Sequence, residues 1–338
     1  MRADFESHNG TFLLYPTRRD VWRKQAVPIA KVIAHLASVL AEFEPVTLGV
    51  LPEVDRASVG VGPDRVRVVP MEYDDIWIRD TGAIPVGEGL VGFGFNAWGG
   101  ELYGDWSRDL TVPEQMSSLV SLPLTRCDVT LEGGNLTTDG KGTLICIKDT
   151  VVNGNRNPDR SQAQIEDALR RALGVQKLLW LPRGLAFDET GGHVDNLCAF
   201  ADERTVLLAW TDDPEDPQYP IVREAFSVLD GETTAHGEPL EIVKLPLPRR
   251  FVRTADDCDG LLISPESKAR LEGEVIQPSY LNFIFANGAV ILPAFDDPAD
   301  AEARHVFEKV FPDRRVIAFP SREIVLGGGG LHCITKNY

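Results

Sequence analysis

Along the chain the alternation of apolar and polar positions repeats one unit: a strand hairpin, an amphipathic helix, then a further short strand. One copy opens near Asp80, where TGAIPV and LVGFGF flank the turn GEG, with a helix expected around Val112 to Leu119 and a strand around Leu124 to Val129. A second opens at Glu132, where GNLTT and TLICI flank the turn at Asp139-Gly140. Its helix carries the stripe Ile165, Ala168, Leu169, Ala172 and Leu173, and the strand Lys177 to Pro182 closes it. The third runs from His193 through VDNLCAF and TVLLAW to a helix near Ile221 to Leu229 and a strand at Glu241 to Leu247. After an irregular stretch near Arg249 to Gln277, the fourth begins at Tyr280, with LNFIF and AVILPAF around Asn287-Gly288, then Ala299 to Phe311 and RVIAF.

Two strands are left without hairpin mates, LHCIT at Leu331 to Thr335 and GTFLLYP near Gly10, and they are expected to pair with each other. The helix at Val27 to Phe43 and the strand at Pro45 to Val50 complete that fifth unit across the two ends. Repeats that bury a face only against their neighbours close most simply into a ring, which leaves no bare strand edge. The expectation is a single α/β domain over residues 1 to 338 with approximate fivefold symmetry.

Composition adds limits on partners. A formal charge of −17 over 338 residues argues against nucleic acid or an anionic membrane, both of which are bound through excess Lys and Arg. It suits a small cation, although acidity also serves solubility alone. Five cysteines, an odd number with no CxxC pair, fit no disulfide framework and point to a reducing compartment. With no basic leader followed by an apolar run and no stretch of 18 apolar residues, a soluble, cytoplasmic protein is expected.

Each unit opens on a short polar cluster: WIRD ending at Asp80, LEGGN with Glu132, TGGHVD with His193 and Asp195, YLNF with Asn282, and GGGGLHC with Cys333. In a ring, equivalent positions converge on the axis, so these clusters are expected to form one central pocket. His193 and Asp195, two apart on a predicted strand, share a face, and histidine is the natural proton shuttle near neutral pH. The competing reading is a surface histidine beside a carboxylate. Cys333 follows four glycines, Gly327 to Gly330, which permit unusual backbone angles and close approach, and a reactive thiol is expected there. Cys127, Cys146, Cys198 and Cys258 read as small buried hydrophobes. No GK[ST] follows the glycines, which argues against a phosphate loop. His193, Asp195 and Glu132 are chemically able to hold zinc or manganese, but no HExxH or clustered-histidine motif accompanies them, and no metal is expected.

Taken in order, WIRD, FNAWGG at Phe95 to Gly100, LEGGN, RNP at Arg156 to Pro158, GGHVDN at Gly191 to Asn196 and GGGGLHCIT resemble the agmatine deiminase family over nearly the whole chain, as does FESHNGTFLLYP at Phe5 to Pro16. The resemblance implies a pentein fold, a five-bladed α/β propeller of ββαβ units. It implies Cys333 as nucleophile, His193 as general acid and base, and Asp80 and Asp195 as carboxylates gripping a guanidinium. Glu132 would support the same group, Trp77 would line the substrate channel, and Asn282 and Gly329 would also contact substrate. No cofactor is implied. The chain departs from the family pattern at Ala83, where proline is common, at IKDTVVNGN before Arg156, and at the tail ITKNY.

A guanidinium is planar, always protonated and rich in N–H donors that paired carboxylates hold in bidentate fashion. Peptidyl-arginine and free arginine are the rival substrates under the same mechanism, and a non-catalytic ring-shaped binding protein is the rival of another class. Oligomeric state is left open, a homo-oligomer included. The Arg249 to Gln277 stretch is a candidate lid.

Overall fold

A computed structural model describes residues 1–62, 65–265 and 267–338. Four of its sheets follow the expected order. In the first, Ile84–Val86 pairs antiparallel with Gly89–Gly94, which pairs parallel with Leu124–Thr130 after the helix Val112–Val120. The second joins Thr137–Thr138, Thr143–Ile147 and Lys177–Leu181 around the helix Gln162–Leu173. The third joins Cys198–Phe200, Thr205–Trp210 and Glu241–Pro246 around Tyr219–Leu229. The fourth joins Ile284–Ala286, Ala289–Ala294 and Arg315–Pro320 around Asp300–Val310.

The chain ends meet as expected, but through Lys336–Asn337, just after the stretch Leu331 to Thr335 to which the sequence pattern assigns the strand. Thr11–Leu14 pairs antiparallel with Lys336–Asn337, in the register Thr11 to Asn337 and Phe12 to Lys336, and parallel with Val46–Val50 after the helix Val27–Leu40. Residues 331–335 form a turn rather than a strand, because the Asn282 side chain accepts the His332 N–H at 2.8 Å and Thr335 N–H bonds back to His332 at 3.1 Å, leaving neither free for a ladder. This sheet also gains an unforeseen fourth strand, Val66–Pro70. The stretch expected to be irregular holds an antiparallel ribbon, Phe251–Val252 with Val275–Ile276; Glu266 within it lies outside the described residues.

Local chemistry explains these elements. In Gln162–Leu173, the Ser161 hydroxyl accepts from Gln164 N–H while the Gln164 side chain accepts from Ser161 N–H, and Gly174 at φ 69° ends the helix. Ile165, Ala168, Leu169 and Leu173 are buried against the sheet, each large one contributing about 1.5–3 kcal/mol. The other helices bury one stripe in the same way, which leaves the polar heads of the units at the sheet ends, free to form the site. Among the described residues no helix is long and apolar enough to cross a membrane.

Candidate active site

The polar heads of three units are single helical turns placed just before each hairpin. Trp77 caps Ile78–Thr81, Glu132 caps Gly133–Asn135, and His193 caps Val194–Leu197. His193 and Asp195 therefore do not lie on a strand, contrary to the sequence expectation. Asp188 Oδ2 accepts the His193 N–H at 3.0 Å and Asn135 Oδ1 accepts the Val194 N–H at 3.2 Å, so side chains take the bonds that a ladder would need. Both side chains remain buried in the site.

The sequence-predicted residues come together. His193 lies between two carboxylates, its Nδ1 3.8 Å from Asp80 Oδ2 and its Nε2 3.8 Å from Glu132 Oε2. Asp80 is held by Gly134 N–H at 2.7 Å and Trp98 Nε1–H at 2.9 Å, and Glu132 by Arg156 Nε at 3.0 Å. Cys333 Sγ is 3.6 Å from Asp195 Oδ2 and accepts from Asn282 Nδ2 at 3.2 Å. Trp77 Nε1–H bonds to Asp75 and to the Tyr103 hydroxyl, both at 2.9 Å, which fixes its ring beside the Cys333 turn.

Glycines keep this space open. A Cβ on Gly134 would stand 2.7 Å from His193 Nδ1 and 2.8 Å from Asp80 Oδ1; on Gly329 it would stand 2.5 Å from Trp77 Cζ3. Of the four glycines before Cys333, Gly328 has a left-handed φ of 103°, whereas Gly329 and Gly330 serve close approach to Trp77 and Asn282.

Burial sets the electrostatics. It opposes a charged ring at His193, yet Asp80 and Glu132 push that imidazole up to about 9. Burial, then the charges of Asp195 and Asp80, push the Cys333 thiol well above its ordinary range. Burial also raises the Asp80 carboxyl, opposed by His193 and reinforced by Asp195 and Glu132. At Glu132 burial works against ionisation, but His193 and Arg156 hold the carboxyl below its ordinary value. Glu132 Oε2, Asp195 Oδ1 and both ring nitrogens of His193 are buried with no hydrogen-bond partner among the described residues.

Several contributors were not foreseen. Arg156 and Trp98 fall in motifs visible in the sequence, but nothing local shows that one holds Glu132 and the other Asp80. Asp188, Arg79, His332 and Asp4 also surround the set, the last from the N-terminal segment. Cys127 and Cys258, expected to be buried, are only partly so, while Cys146 and Cys198 are buried as expected.

Fold and site together describe a mixed α/β protein whose centre gathers a thiol, an imidazole and three carboxylates out of water. A family model for the Porphyromonas-type peptidyl-arginine deiminases matches residues 1–338, and the chain belongs to that family. It is similar to the agmatine deiminase of Pseudomonas aeruginosa, 42% identical over 99% of this chain and 94% of the relative. The agmatine deiminase of Stutzerimonas stutzeri is likewise 42% identical over 99% of this chain and 94% of its own length. Among solved structures, the agmatine deiminase of Enterococcus faecalis matches with a TM-score of 0.95 and 29% identity, covering 100% of this chain and 94% of that one.

Proposed function

We propose that this chain hydrolyses agmatine to N-carbamoylputrescine and ammonia through a covalent amidino-cysteine on Cys333. The observation that carries the reading is a set of buried atoms with no partner among the described residues: Glu132 Oε2 and Asp195 Oδ1 are acceptors without donors there, beside Asp80 and within reach of a thiol. A guanidinium is the complementary ligand, since it brings only N–H donors and a positive charge. Similarity to agmatine deiminases at 42% identity over almost the whole chain supports the particular substrate. The enzyme is a hydrolase acting on a guanidino group.

Asp80 and Asp195 grip the guanidinium and Glu132 supports it, while Trp77, Asn282 and Gly329 shape the approach. Cationic substrate offsets the two carboxylates that disfavour the thiolate, so binding itself releases the Cys333 proton to solvent. The Cys333 sulfur then bonds to the guanidinium carbon. Protonated His193 gives its proton to the departing nitrogen, the carbon–nitrogen bond breaks, and ammonia leaves. Neutral His193 next takes a proton from water, whose oxygen bonds to the same carbon. Collapse of that adduct expels the thiolate, the hydroxyl proton passes to solvent, and the ureido product is left. No cofactor takes part in these steps.

In this reading residues 1–338 act as one catalytic unit, and the five ββαβ sheets are the blades of a pseudo-fivefold pentein propeller around the site. The repeated order of strands and the meeting of the chain ends support it. The test is release of ureido product and ammonia from agmatine, arginine and a blocked peptidyl-arginine, with Cys333→Ala as control. Preferred turnover of agmatine by the wild type alone is expected. Preference for another guanidine would overturn the substrate, and turnover by Cys333→Ala would overturn the nucleophile.

A further inference from the structure

Asp195 has two oxygens in different situations. Oδ1 has no partner among the described residues, whereas Oδ2 meets His332 Nδ1 at 2.9 Å and the Cys333 sulfur at 3.6 Å. The other ring nitrogen of His332, Nε2, meets Asp4 Oδ2 at 2.9 Å. Asp4 is tied in turn to Arg79 at 3.2 Å, and Arg79 Nε donates to the His332 carbonyl at 3.3 Å while its backbone N–H donates to the Cys333 carbonyl at 3.1 Å. The chain Arg79, Asp4, His332, Asp195 thus begins beside one guanidinium-gripping carboxylate, Asp80, and ends on the other. It also encircles the backbone of the nucleophile.

Ionised carboxylate oxygens only accept hydrogen bonds. Burial disfavours charge on Asp4, but Arg79 and His332 hold its carboxyl well below the ordinary range, so it stays ionised. The His332 ring stands between two carboxylates, its Nδ1 2.9 Å from Asp195 Oδ2 and its Nε2 2.9 Å from Asp4 Oδ2.

We propose that His332 is a positioning residue for the deimination reaction: anchored by Asp4 through Nε2, it pins Asp195 through Nδ1 so that Oδ1 faces the substrate. This rests on the guanidine reading of the site. Without the pin, the Asp195 carboxylate turns about its own bond, and both the grip on the guanidinium and its alignment with the sulfur are lost, which is costly even for small displacements. A purely structural histidine would show no preference for one ring nitrogen over the other.

The two amides separate these roles. His332→Asn places a donor where Nδ1 stands and abandons Asp4, whereas His332→Gln reaches toward Asp4 and abandons Asp195. Expected is a kcat/KM for agmatine within about tenfold of wild type for Asn and a fall of roughly 10²-fold for Gln, mainly through KM, at matched melting temperatures. Equal losses in the two variants, or none in Gln, would overturn the proposal. Should His332→Gln fail to fold, Asp4→Asn serves instead: a loss of about threefold to tenfold is expected, and wild-type kinetics would count against the anchor. A second measurement needs no substrate. In protein carrying ¹⁵N-histidine, His332 is expected to show a slowly exchanging Nδ1–H proton, assigned by its disappearance in His332→Asn; its absence would sink the pin on Asp195. Wild type inactive on agmatine would refute the proposed function, and the ring proton would still decide the positioning claim.

Discussion

Cys333 and the pair Cys146 and Cys198 are almost equally withdrawn from water, at 5%, 1% and 0% exposure, and burial raises all three thiols. Their surroundings differ. Cys146 lies on Thr143–Ile147 and Cys198 on Cys198–Phe200, each within an apolar cluster; burial acts on both, and the only other influence is that of Cys198 on Cys146. Cys333 lies on a turn, with Asp195 and Asp80 adding to the effect of burial and Asn282 donating to its sulfur. A cation bound between those carboxylates reverses their part of the effect, whereas nothing reverses desolvation in a closed apolar cluster. Burial alone therefore does not distinguish a nucleophile from a core residue; a charge that a ligand can offset does.

The sharpest way to break this contrast is removal of the sulfur. Cys333→Ala is expected to lower agmatine turnover by at least ~10⁴-fold in a ureido-product assay, and retained activity would return Cys333 to the same class as the core pair. Next in size is His193→Gln, which removes the proposed proton donor and acceptor: a fall of about 10²- to 10⁴-fold in kcat is expected, measured as single-turnover ammonia release.

Much of this contrast was legible in the sequence. Hairpin signals at Asp139-Gly140 and Asn287-Gly288, with helical stripes such as Ile165 to Leu173, set the unit and so the place of its polar head. What the pattern missed was decided by side chains far away in the chain. Asn282 bonds the His332 N–H from 50 residues upstream, and Asn135 bonds the Val194 N–H from 59 residues upstream, so one expected strand and the first half of another, Val194–Leu197, became turns. Asp4, in an N-terminal segment with no periodicity, carries no local sign that its carboxylate meets His332. The strand Val66–Pro70 did have an alternating pattern, RVRVVP, which the two-ended fifth unit gave no reason to use.

The pH dependence sharpens the contrast from the side of the imidazole. Burial opposes His193 protonation, but Asp80 and Glu132 raise it to about 9, so the proposed general acid is present below that value. Turnover is expected to decline as pH rises through about 9. Glu132→Gln deletes one of the raising charges, and the descending limb of its residual activity should move to lower pH. An unmoved limb would mean that another group sets it. The linked stability has the same sign: a raised folded-state value stabilises fully below the ordinary histidine value of ~6.5 and the contribution is lost as pH climbs through 9. Denaturant midpoints at pH 6 and pH 10, compared between wild type and His193→Gln, check this.

The smallest kinetic effect is expected at the other pole of the comparison. Cys198 belongs to a strand whose neighbours Ala199 and Phe200 pair with Leu207 and Val206, and its own partner across the ladder is Leu208. Replacing it with alanine removes one buried sulfur and leaves a small cavity, at a cost of about 1–2 kcal/mol in stability. Because Cys198 lies in the apolar cluster behind the helical turn that carries Asp195, the cavity is met by movement of side chains such as Leu197 and Phe200 rather than of the carboxylate, which His332 holds separately. Cys198→Ala should then show a lower denaturant midpoint with kcat/KM within about twofold of wild type. A kinetic loss of more than tenfold at full folding would show that the two thiol environments are mechanically coupled, and that the boundary between core and site runs elsewhere than between Leu197 and Asp195.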